Sequence, residues 1–271
     1  MGFAVEVHPV PLTTRTHACM ATTFSISIVC DDPTYARQAM DEAFDELDHL
    51  EQCLSAFVPH SDVARIARQP AHRVLSIDPA TYACLRTALA VERATAGAFN
   101  VAYRVQPPSG AAELLKLDPQ VSAVMTATES VQLDLGGIGK GLALDVIATL
   151  LAEWDLPCFL LRASKSTLLA GAAPPDTEGW TIRVGPAESP QTRLLVRSAV
   201  SGSGTDIQGQ HIVDPRTGQP AGHHRLAFSF AQTGAEADAL STAFFVMSAA
   251  EVADYCQEHP DVSSLLIGVE S

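Results

Sequence analysis

An aspartate and a threonine interrupt an otherwise apolar segment near the C-terminus. Residues 237–243 read A-D-A-L-S-T-A, so Asp238 and Thr242 are four positions apart and share one face of a helix. A buried carboxylate needs a partner, and no basic residue lies at helical spacing from Asp238. A hard cation such as Mg²⁺ would be that partner, with Thr242 as a second oxygen ligand and phosphate or water oxygens completing the shell. The alternative is that Asp238 is the N-cap of the helix; its place inside the apolar pattern favours the cation.

A glycine-rich stretch lies between a predicted strand at 131–135 and a predicted helix at 142–154. Residues 134–141 read D-L-G-G-I-G-K-G. Glycines let the backbone approach a ligand closely, and free N–H groups at the start of a helix favour an anion. The spacing fits neither a P-loop nor the G-x-G-x-x-G pattern of dinucleotide-binding folds. A ligand-binding turn and a simple tight turn both remain open.

A third polar stretch begins with S-G-S-G at 201–204 and continues with H-I-V-D-P-R-T-G at 211–218. The Asp-Pro and Thr-Gly pairs predict a turn or hairpin. A histidine, an aspartate and an arginine on such a loop, here His211, Asp214 and Arg216, are candidates for acid–base chemistry or for contact with phosphate. On these residues alone, the plain turn is the favoured interpretation.

The elements that would position these stretches alternate irregularly, which favours an α+β fold over a doubly wound sheet. Asp-Pro pairs at 32–33 and 78–79 are helix start signals, and Ser248 with Glu251 forms a capping-box pattern. Hydrophobic periodicity then predicts helices at 33–54, 79–97, 142–154 and 235–247, and another from Ser248 onwards. It predicts strands at 22–30, 131–135, 158–161, 167–170, 180–184, 194–196, 226–230 and 265–269. Residues 201–222 are predicted to be a turn-rich tract.

The charge balance excludes several kinds of partner. Lys and Arg number 17 against 31 Asp and Glu, a formal charge of −14, and there is no basic cluster. Nucleic acid and anionic membrane surfaces are therefore poor partners. An anionic ligand would also be repelled unless a divalent cation, helix-end N–H groups and Lys140 offset its charge.

The chain contains no apolar run long enough to span a membrane. Its first residues, interrupted by Glu6 and two prolines, do not resemble a signal peptide. The six cysteines form no C-x-x-C pair, which predicts reduced core residues and indicates neither a zinc cluster nor a dithiol site. We therefore expect a cytoplasmic protein as given, or a periplasmic one if a native signal was removed.

Taken together and in chain order, the three stretches resemble motifs of the ApbE-like FAD:protein FMN transferases, formerly described as thiamine-biosynthesis lipoproteins. The family pattern D-L-G-G-I-A-K-G-x-x-x-D resembles residues 134–145, S-T-S-G and H-I-I-D-P-R-T-G-x-P resemble 201–204 and 211–220, and A-D-A-L-x-T-A matches 237–243. An M-G-T motif resembles 20–22, and L-S-x-F with S-x-x-S-R resembles 54–57 and 61–65. The resemblance implies one ApbE-like, T-fold-related α+β domain over residues 1–271, with mixed, mainly antiparallel sheets flanked by helices.

The resemblance also implies a reaction. Family members bind FAD, cleave its pyrophosphate with Mg²⁺ and attach the FMN phosphate to a threonine hydroxyl of an acceptor flavoprotein, releasing AMP. Metal ligands would be Asp238, Thr242 and the backbone carbonyl of Gly139. His211 would assist deprotonation of the acceptor threonine, so His211 and Asp238 are the expected catalytic residues. The residues expected to bind the flavin nucleotide are Met20, Gly136, Gly137, Lys140, Ser203, Gly204, Asp214 and Arg216.

The chain departs from the family pattern in three places. Residues 163–166 read A-S-K-S where the family has G-G-D, residues 99–102 read F-N-V-A for F-D-P-T, and an asparagine after S-R-L is replaced near 66–67. These positions fall on the side expected to hold the dinucleotide. The alternatives to a transferase are therefore an FAD pyrophosphatase giving FMN and AMP, a degenerate relative that binds flavin or another nucleotide without turnover, and a purely structural domain.

Overall fold

The computed structural model describes residues 4–5, 11–104, 110–204 and 212–268. The strands are β1 Ala4–Val5, β2 Leu12–Cys19, β3 Thr22–Val29, β4 Val74–Ser76, β5 Leu115–Asp118, β6 Ala123–Thr126, β7 Phe159–Ala163, β8 Thr167–Ala170, β9 Trp180–Val184, β10 Gln191–Leu195, β11 Ser198–Gly204, β12 His224–Ala231 and β13 Ser263–Gly268. The helices are α1 Pro33–Leu54, α2 Asp62–Arg68, α3 Pro79–Ala94, α4 Ala111–Leu114, α5 Gly139–Glu153, α6 Gly234–Val246 and α7 Ala249–Glu258.

Three sheets organise these strands. The largest has seven strands in the order β13-β12-β11-β8-β7-β3-β2, and the two smaller ones have the orders β1-β9-β10 and β4-β6-β5. Every strand pairing within the described residues is antiparallel. The predicted α+β class with mainly antiparallel sheets is therefore confirmed.

The seven-stranded sheet is buried on both faces. Alternate residues of a strand point to opposite faces, so Leu161 of β7 joins the core under the helices while Leu160 joins a second apolar cluster. That second cluster is shared with Trp180 and Ile182 of β9, which places the β1-β9-β10 sheet over the opposite face. The sheet is thus sandwiched between helices and a small sheet.

The helix start signals read from the sequence act as predicted. The Asp32 carboxylate accepts hydrogen bonds from the backbone N–H groups of Thr34 and Tyr35 at the start of α1. The capping box of α7 is complete, because Ser248 and Glu251 each accept a backbone N–H from the other. These local hydrogen bonds fix the ends of two helices before any tertiary contact is considered.

Two local predictions are wrong. Residues 131–135 have the expected alternate burial but pair with no described strand; the Asp134 N–H instead donates to the carbonyl of Val101 in an irregular segment. Residues 201–204 are the end of strand β11, paired with β12, and do not begin a turn-rich tract. In both places the choice between strand and loop depends on a partner that is distant in sequence.

No helix among the described residues is long and apolar enough to cross a membrane. The six cysteines are all free thiols, but only Cys19 and Cys84 are fully buried. The free thiols agree with the prediction of reduced cysteines. The other four cysteines, Cys30, Cys53, Cys158 and Cys256, are partly buried and pack against the two apolar clusters, so the expected core location holds fully for two residues and in part for four.

Candidate functional site

Asp238 lies in the second turn of α6 and is buried, with 4% of its surface exposed. One carboxylate oxygen, Oδ1, accepts hydrogen bonds from the hydroxyls of Ser201 (3.1 Å) and Thr167 (3.2 Å). The other, Oδ2, accepts the backbone N–H of Gly141 at 3.2 Å. The N-cap of this helix is Thr233, so the interpretation of Asp238 as the helix cap is wrong. Its carboxylate instead joins α6 to β8, β11 and α5.

A lysine from another helix faces the same carboxylate. Lys140, in the first turn of α5, places Nζ 3.3 Å from Asp238 Oδ2 and 2.7 Å from the carbonyl oxygen of Gly136. No basic residue lies at helical spacing from Asp238, but the inference that a bound cation must therefore be its partner does not follow, because Lys140 reaches it from a helix 98 positions earlier in the chain. The Lys140 ammonium is thus a cation beside Asp238 Oδ2 in the folded structure, and the Lys140 side chain is partly exposed to solvent.

Thr242 belongs to a short chain of hydroxyl groups beside Asp238. Its Oγ1 lies 3.4 Å from the hydroxyl of Ser203 in β11 and 3.4 Å from the Asp238 carbonyl. Ser203 is also hydrogen-bonded to Ser241 at 3.0 Å. As predicted from the four-residue spacing, Thr242 and Asp238 present oxygen atoms on the same side of α6.

The glycine-rich turn packs directly against this part of α6. A Cβ placed on Gly137 would lie 3.2 Å from Thr242 Oγ1, and one placed on Gly139 would lie 3.4 Å from the terminal methyl carbon of Met20. The turn begins where the Asp134 carboxylate accepts the N–H of Gly136 at 2.9 Å. The structure therefore brings Met20, Gly137, Gly139 and Thr242 into one neighbourhood.

Gly141 permits close contact between α5 and α6. A Cβ on Gly141 would lie 2.0 Å from the backbone oxygen of Gly234, a distance that no side chain can occupy. One turn further along α5, the Asp145 carboxylate accepts the N–H groups of Gly234 (2.6 Å) and Ala235 (2.8 Å). Burial raises the pKa of Asp145 to about 6, although these two hydrogen bonds oppose the shift. Residues of α5 thus fix where α6 begins.

Two of the predicted flavin-binding residues are paired with each other. The Arg216 guanidinium contacts the Asp214 carboxylate at 3.0 Å and Glu251 of α7 at 2.6 Å. Hydrogen bonds to Asp214 raise the pKa of Arg216 further, so its charge is permanent. The Arg216 side chain also lies beside Gly97, at 3.8 Å from a Cβ built there. The structure holds this hairpin against Gly97 and the start of α7, and no contact between Arg216 or Asp214 and Asp238 is seen among the described residues.

The remaining predicted site residues are Gly204, Ser203 and His211. Gly204 approaches β12 closely, because a Cβ there would lie 2.8 Å from the carbonyl of Arg225, so its small size has a packing reason. Ser203 is in the hydroxyl chain described above. His211 lies outside the described residues.

One residue of the cluster escaped sequence reasoning. Thr167 is a fully buried polar residue at the start of β8, whose other residues are apolar, and its hydroxyl donates to Asp238. A polar residue in an otherwise apolar strand is the signal that could have identified it. Ser201, which belongs to the S-G-S-G stretch, also donates to Asp238. The A-S-K-S segment at 163–166 forms the β7–β8 turn, and the carbonyl of Ser166 accepts the Ser201 hydroxyl at 3.2 Å. The departure from the family pattern therefore lies next to the Asp238 cluster.

The chemistry of the donor atoms fits a magnesium ion. Asp238 and Thr242 offer a carboxylate and a hydroxyl, and Gly139 offers a backbone carbonyl two residues before Gly141, whose N–H contacts Asp238. Magnesium takes oxygen ligands and is commonly held by one or two carboxylates together with substrate phosphates. Lys140 shows that a positive charge is accommodated beside Oδ2. These residues could hold such an ion.

Comparison with known proteins agrees with this architecture. The structure superimposes on the flavin transferase ApbE from Vibrio cholerae with a TM-score of 0.85 at 17% identity, covering 97% of this chain and 95% of that one. It also matches the apo form of the Pseudomonas stutzeri flavinyl transferase ApbE, with a TM-score of 0.82 at 21% identity over 100% of this chain and 93% of that one. At these identities the likeness establishes the fold.

Sequence comparison then identifies the family. The sequence model of the ApbE family matches residues 20–266, so this chain belongs to the ApbE family. The FAD:protein FMN transferase of Treponema pallidum (strain Nichols) is 28% identical over 277 residues, covering 84% of this chain and 76% of the relative. That of Chlamydia trachomatis serovar D is 24% identical over 255 residues, covering 82% and 79%. The family resemblance deduced from the motifs is confirmed.

Proposed function

We propose that this chain is an FAD:protein FMN transferase that requires Mg²⁺. Its substrates are FAD and a flavoprotein with an accessible threonine, and its products are the FMN-modified protein and AMP. The observation that carries the proposal is the convergence of Asp238, Thr242 and Lys140 with the glycine-rich turn at one place between α5 and α6. The names of the relatives, each an FAD:protein FMN transferase, support the same reaction.

The residues have distinct tasks in this reaction. Asp238 and Thr242, with the Gly139 carbonyl, would hold the magnesium ion, which when bound neutralises charge on the pyrophosphate oxygens. Lys140 and the N–H groups of the glycine-rich turn would orient the pyrophosphate. Because the chain carries a net charge of −14, a local excess of positive charge is needed before a pyrophosphate can approach.

The FMN phosphoryl group is then transferred from AMP to the threonine in one step. The threonine Oγ forms a bond to the phosphorus of the FMN half while the bond from that phosphorus to the bridging oxygen breaks. AMP leaves with the electron pair of that bond, and the threonine proton passes to a base, the role we propose for His211. Water in place of threonine would give FMN and AMP, the pyrophosphatase reaction.

The test is to incubate the full chain with FAD, MgCl₂ and an apo-flavoprotein that has an accessible threonine. We expect one FMN adduct per acceptor by mass spectrometry, equimolar AMP, and loss of the adduct when that threonine is replaced by alanine or when EDTA is added. AMP without an adduct would replace the transferase by a pyrophosphatase. FAD binding with neither product would replace it by a flavin-binding relative without turnover.

A further inference from the structure

A second group of potential metal ligands lies between α1 and the start of α3, on residues that the flavin reaction does not use. His49 and Cys53 are one helical turn apart on α1, and Asp78 is the N-cap of α3. One ligand atom of each residue, a ring nitrogen, the thiol sulfur and a carboxylate oxygen, lies within 4.8 Å of the other two. This combination of nitrogen, sulfur and oxygen donors is one that zinc takes in proteins.

The spacing of these atoms resembles the edges of a zinc coordination tetrahedron. Cys53 Sγ is 3.6 Å from His49 Nε2, and His49 Nε2 is 3.0 Å from Asp78 Oδ2. Ligand bonds of about 2.3 Å for sulfur and about 2.0 Å for nitrogen and oxygen, at tetrahedral angles, give edges of about 3.5 and about 3.3 Å. Two of the three edges are thus close to the tetrahedral values, and the third, from Cys53 to Asp78, is at most 4.8 Å. Side-chain rotations that shorten this third edge to about 3.5 Å would place one ion at bonding distance from all three residues.

Other contacts hold the ligands in position. Asp78 Oδ1 accepts the Ala80 N–H at 2.8 Å as the cap of α3, which orients Oδ2 towards His49. The Asp78 backbone N–H donates to the buried Asp62 carboxylate at 2.7 Å. His49 and Cys53 are fixed relative to each other by α1, because residues four apart in a helix are neighbours. Supporting hydrogen bonds of this kind orient the ligands of protein metal sites.

The same three residues do not form a nucleophilic triad. Both the thiol and the carboxylate approach the same ring nitrogen, Nε2, whereas a relay through histidine needs one partner on each nitrogen. The carboxylates of Asp78, Asp62 and Glu46 all act on the Cys53 thiol. No basic group is among them, so nothing there activates the thiol as a nucleophile, whereas a bound zinc ion would itself supply the positive charge that a thiolate needs. The surrounding negative charge instead favours a cation.

From this geometry we propose that His49, Cys53 and Asp78 bind one zinc ion, with a water molecule as the fourth ligand. The ion would link the C-terminal part of α1 to the N-terminus of α3. His49 is half-exposed, so a metal ion can reach the site from solvent. The site is separate from the proposed magnesium site, and its ligands include a thiolate and an imidazole, which magnesium does not favour.

Cobalt(II) is the most direct probe, since a tetrahedral cobalt–thiolate bond gives a charge-transfer band in the near ultraviolet. One equivalent of CoCl₂ added to the full chain should produce this band, and one equivalent of ZnCl₂ should abolish it. Cys53→Ser should remove the band and weaken zinc binding by more than about 100-fold. His49→Gln removes a half-exposed ligand, so it tests the site even if Cys53→Ser folds poorly.

Two matched thiol variants serve as controls. Cys256→Ser, a half-buried cysteine near Ser264, should retain the cobalt band. Cys19→Ser should also retain the band. Cys19, at the end of β2, lies near Asp48 and Glu51 of α1 and forms with them another group of possible ligands. A missing band in the unchanged chain, a band that persists in both Cys53→Ser and His49→Gln, or a band lost only in Cys19→Ser would each overturn the proposal.

Discussion

At the scale of single residues, Asp238 is a structural centre, and under the proposed function it is also a ligand of the metal ion. Its carboxylate accepts two buried hydroxyls and one backbone N–H, and it faces the Lys140 ammonium. Replacement by alanine would leave the Gly141 N–H without this acceptor, at a cost of about 1–3 kcal/mol for a buried group. The hydroxyls of Ser201 and Thr167 would keep the Ser166 carbonyl and each other as partners. Asparagine keeps an oxygen for the two hydroxyls, but its NH₂ group replaces Oδ2 opposite the Gly141 N–H and the Lys140 ammonium. It therefore removes the charge and one acceptor while keeping the volume and the contacts of Oδ1.

We expect Asp238→Asn to lower the rate of FMN transfer at least about 100-fold while the chain remains folded, because a neutral amide is a poor ligand for a divalent ion. The measurement is adduct formation at saturating MgCl₂, together with the thermal unfolding midpoint. Asp41→Asn, which removes an exposed carboxylate paired with Arg15, is the matched control and should leave transfer unchanged. Transfer at the normal rate by Asp238→Asn would exclude Asp238 as a metal ligand.

The contacts of Asp238 with residues nearby in the chain could be predicted from the sequence, whereas its contacts with distant residues could not. Asp238 and Thr242 are one helical turn apart, so their shared face could be deduced from spacing alone. The contacts to Lys140, Thr167 and Ser201 join residues that meet only after the sheet and helices have packed. For the same reason the cysteines gave no sign of a metal site, since Asp78 completes the group from another helix.

At the scale of elements, the contact between α5 and α6 determines the geometry of the site. Gly141 and Gly234 face each other so closely that each backbone occupies the space of the other's side chain. The two helices can therefore approach closely enough for the Gly141 N–H to reach Asp238. The glycine-rich turn and its helix were predicted from the sequence, whereas this packing reason for Gly141 was not.

Gly141→Ala should separate these helices and lower the free energy of unfolding by about 1–3 kcal/mol, the usual cost of overpacking a core. It should also lower transfer, because the Gly141 N–H and Lys140 would move away from Asp238. Chemical denaturation measures the first effect. Gly222→Ala is the control, since no atom lies within 4 Å of a Cβ at that position. Equal stability of the two variants would contradict the packing argument.

Asp145 should give the fold a specific dependence on pH. Its pKa is about 6 in the folded chain and 3.8 in the reference state, so the folded chain binds the proton more tightly. Its contribution to stability is therefore greatest below pH 4, decreases as the pH rises to about 6, and is constant above that. At 1.36 kcal/mol per pKa unit the change is of the order of 2–3 kcal/mol.

The measurement is urea denaturation of the unchanged chain and of Asp145→Asn at several pH values between 4 and 7. The variant loses part of the α6 cap at every pH, but the difference in unfolding free energy between the two proteins should also vary with pH as described. A constant difference across this range would show that Asp145 does not titrate there.

At the scale of the whole molecule, the fold class and most helices could be predicted from the sequence, but which extended segments pair as strands could not. Capping residues and hydrophobic periodicity located α1, α3, α5, α6 and α7, because these signals are local. Residues 131–135 show the limit of this reasoning: alternate burial resembles a strand, but the neighbouring backbone offers only isolated hydrogen bonds. Whether an extended segment becomes a strand depends on the partner beside it.

Because the net charge is −14, we expect the affinity for FAD to depend on salt concentration. Without a divalent ion, the apparent affinity for FAD should increase a few-fold when NaCl is raised from low to physiological concentration, because salt screens the repulsion between protein and pyrophosphate. Riboflavin, which has no phosphate, is the control and should bind independently of salt. Fluorescence titration measures both. A decrease of FAD affinity with salt would indicate a locally positive site.

The hydrogen bonds around α6 also set an order of events in folding. The cap that Asp145 provides to Gly234 joins residues 89 positions apart, and the bond from Gly141 to Asp238 joins residues 97 apart. Contacts between residues so distant can form only after the intervening chain has been synthesised, and closing such long loops is slow. The candidate site is therefore completed late. A chain that ends before α6 lacks Asp238 and Thr242, so under the proposed function it could neither hold the metal ion nor begin to react.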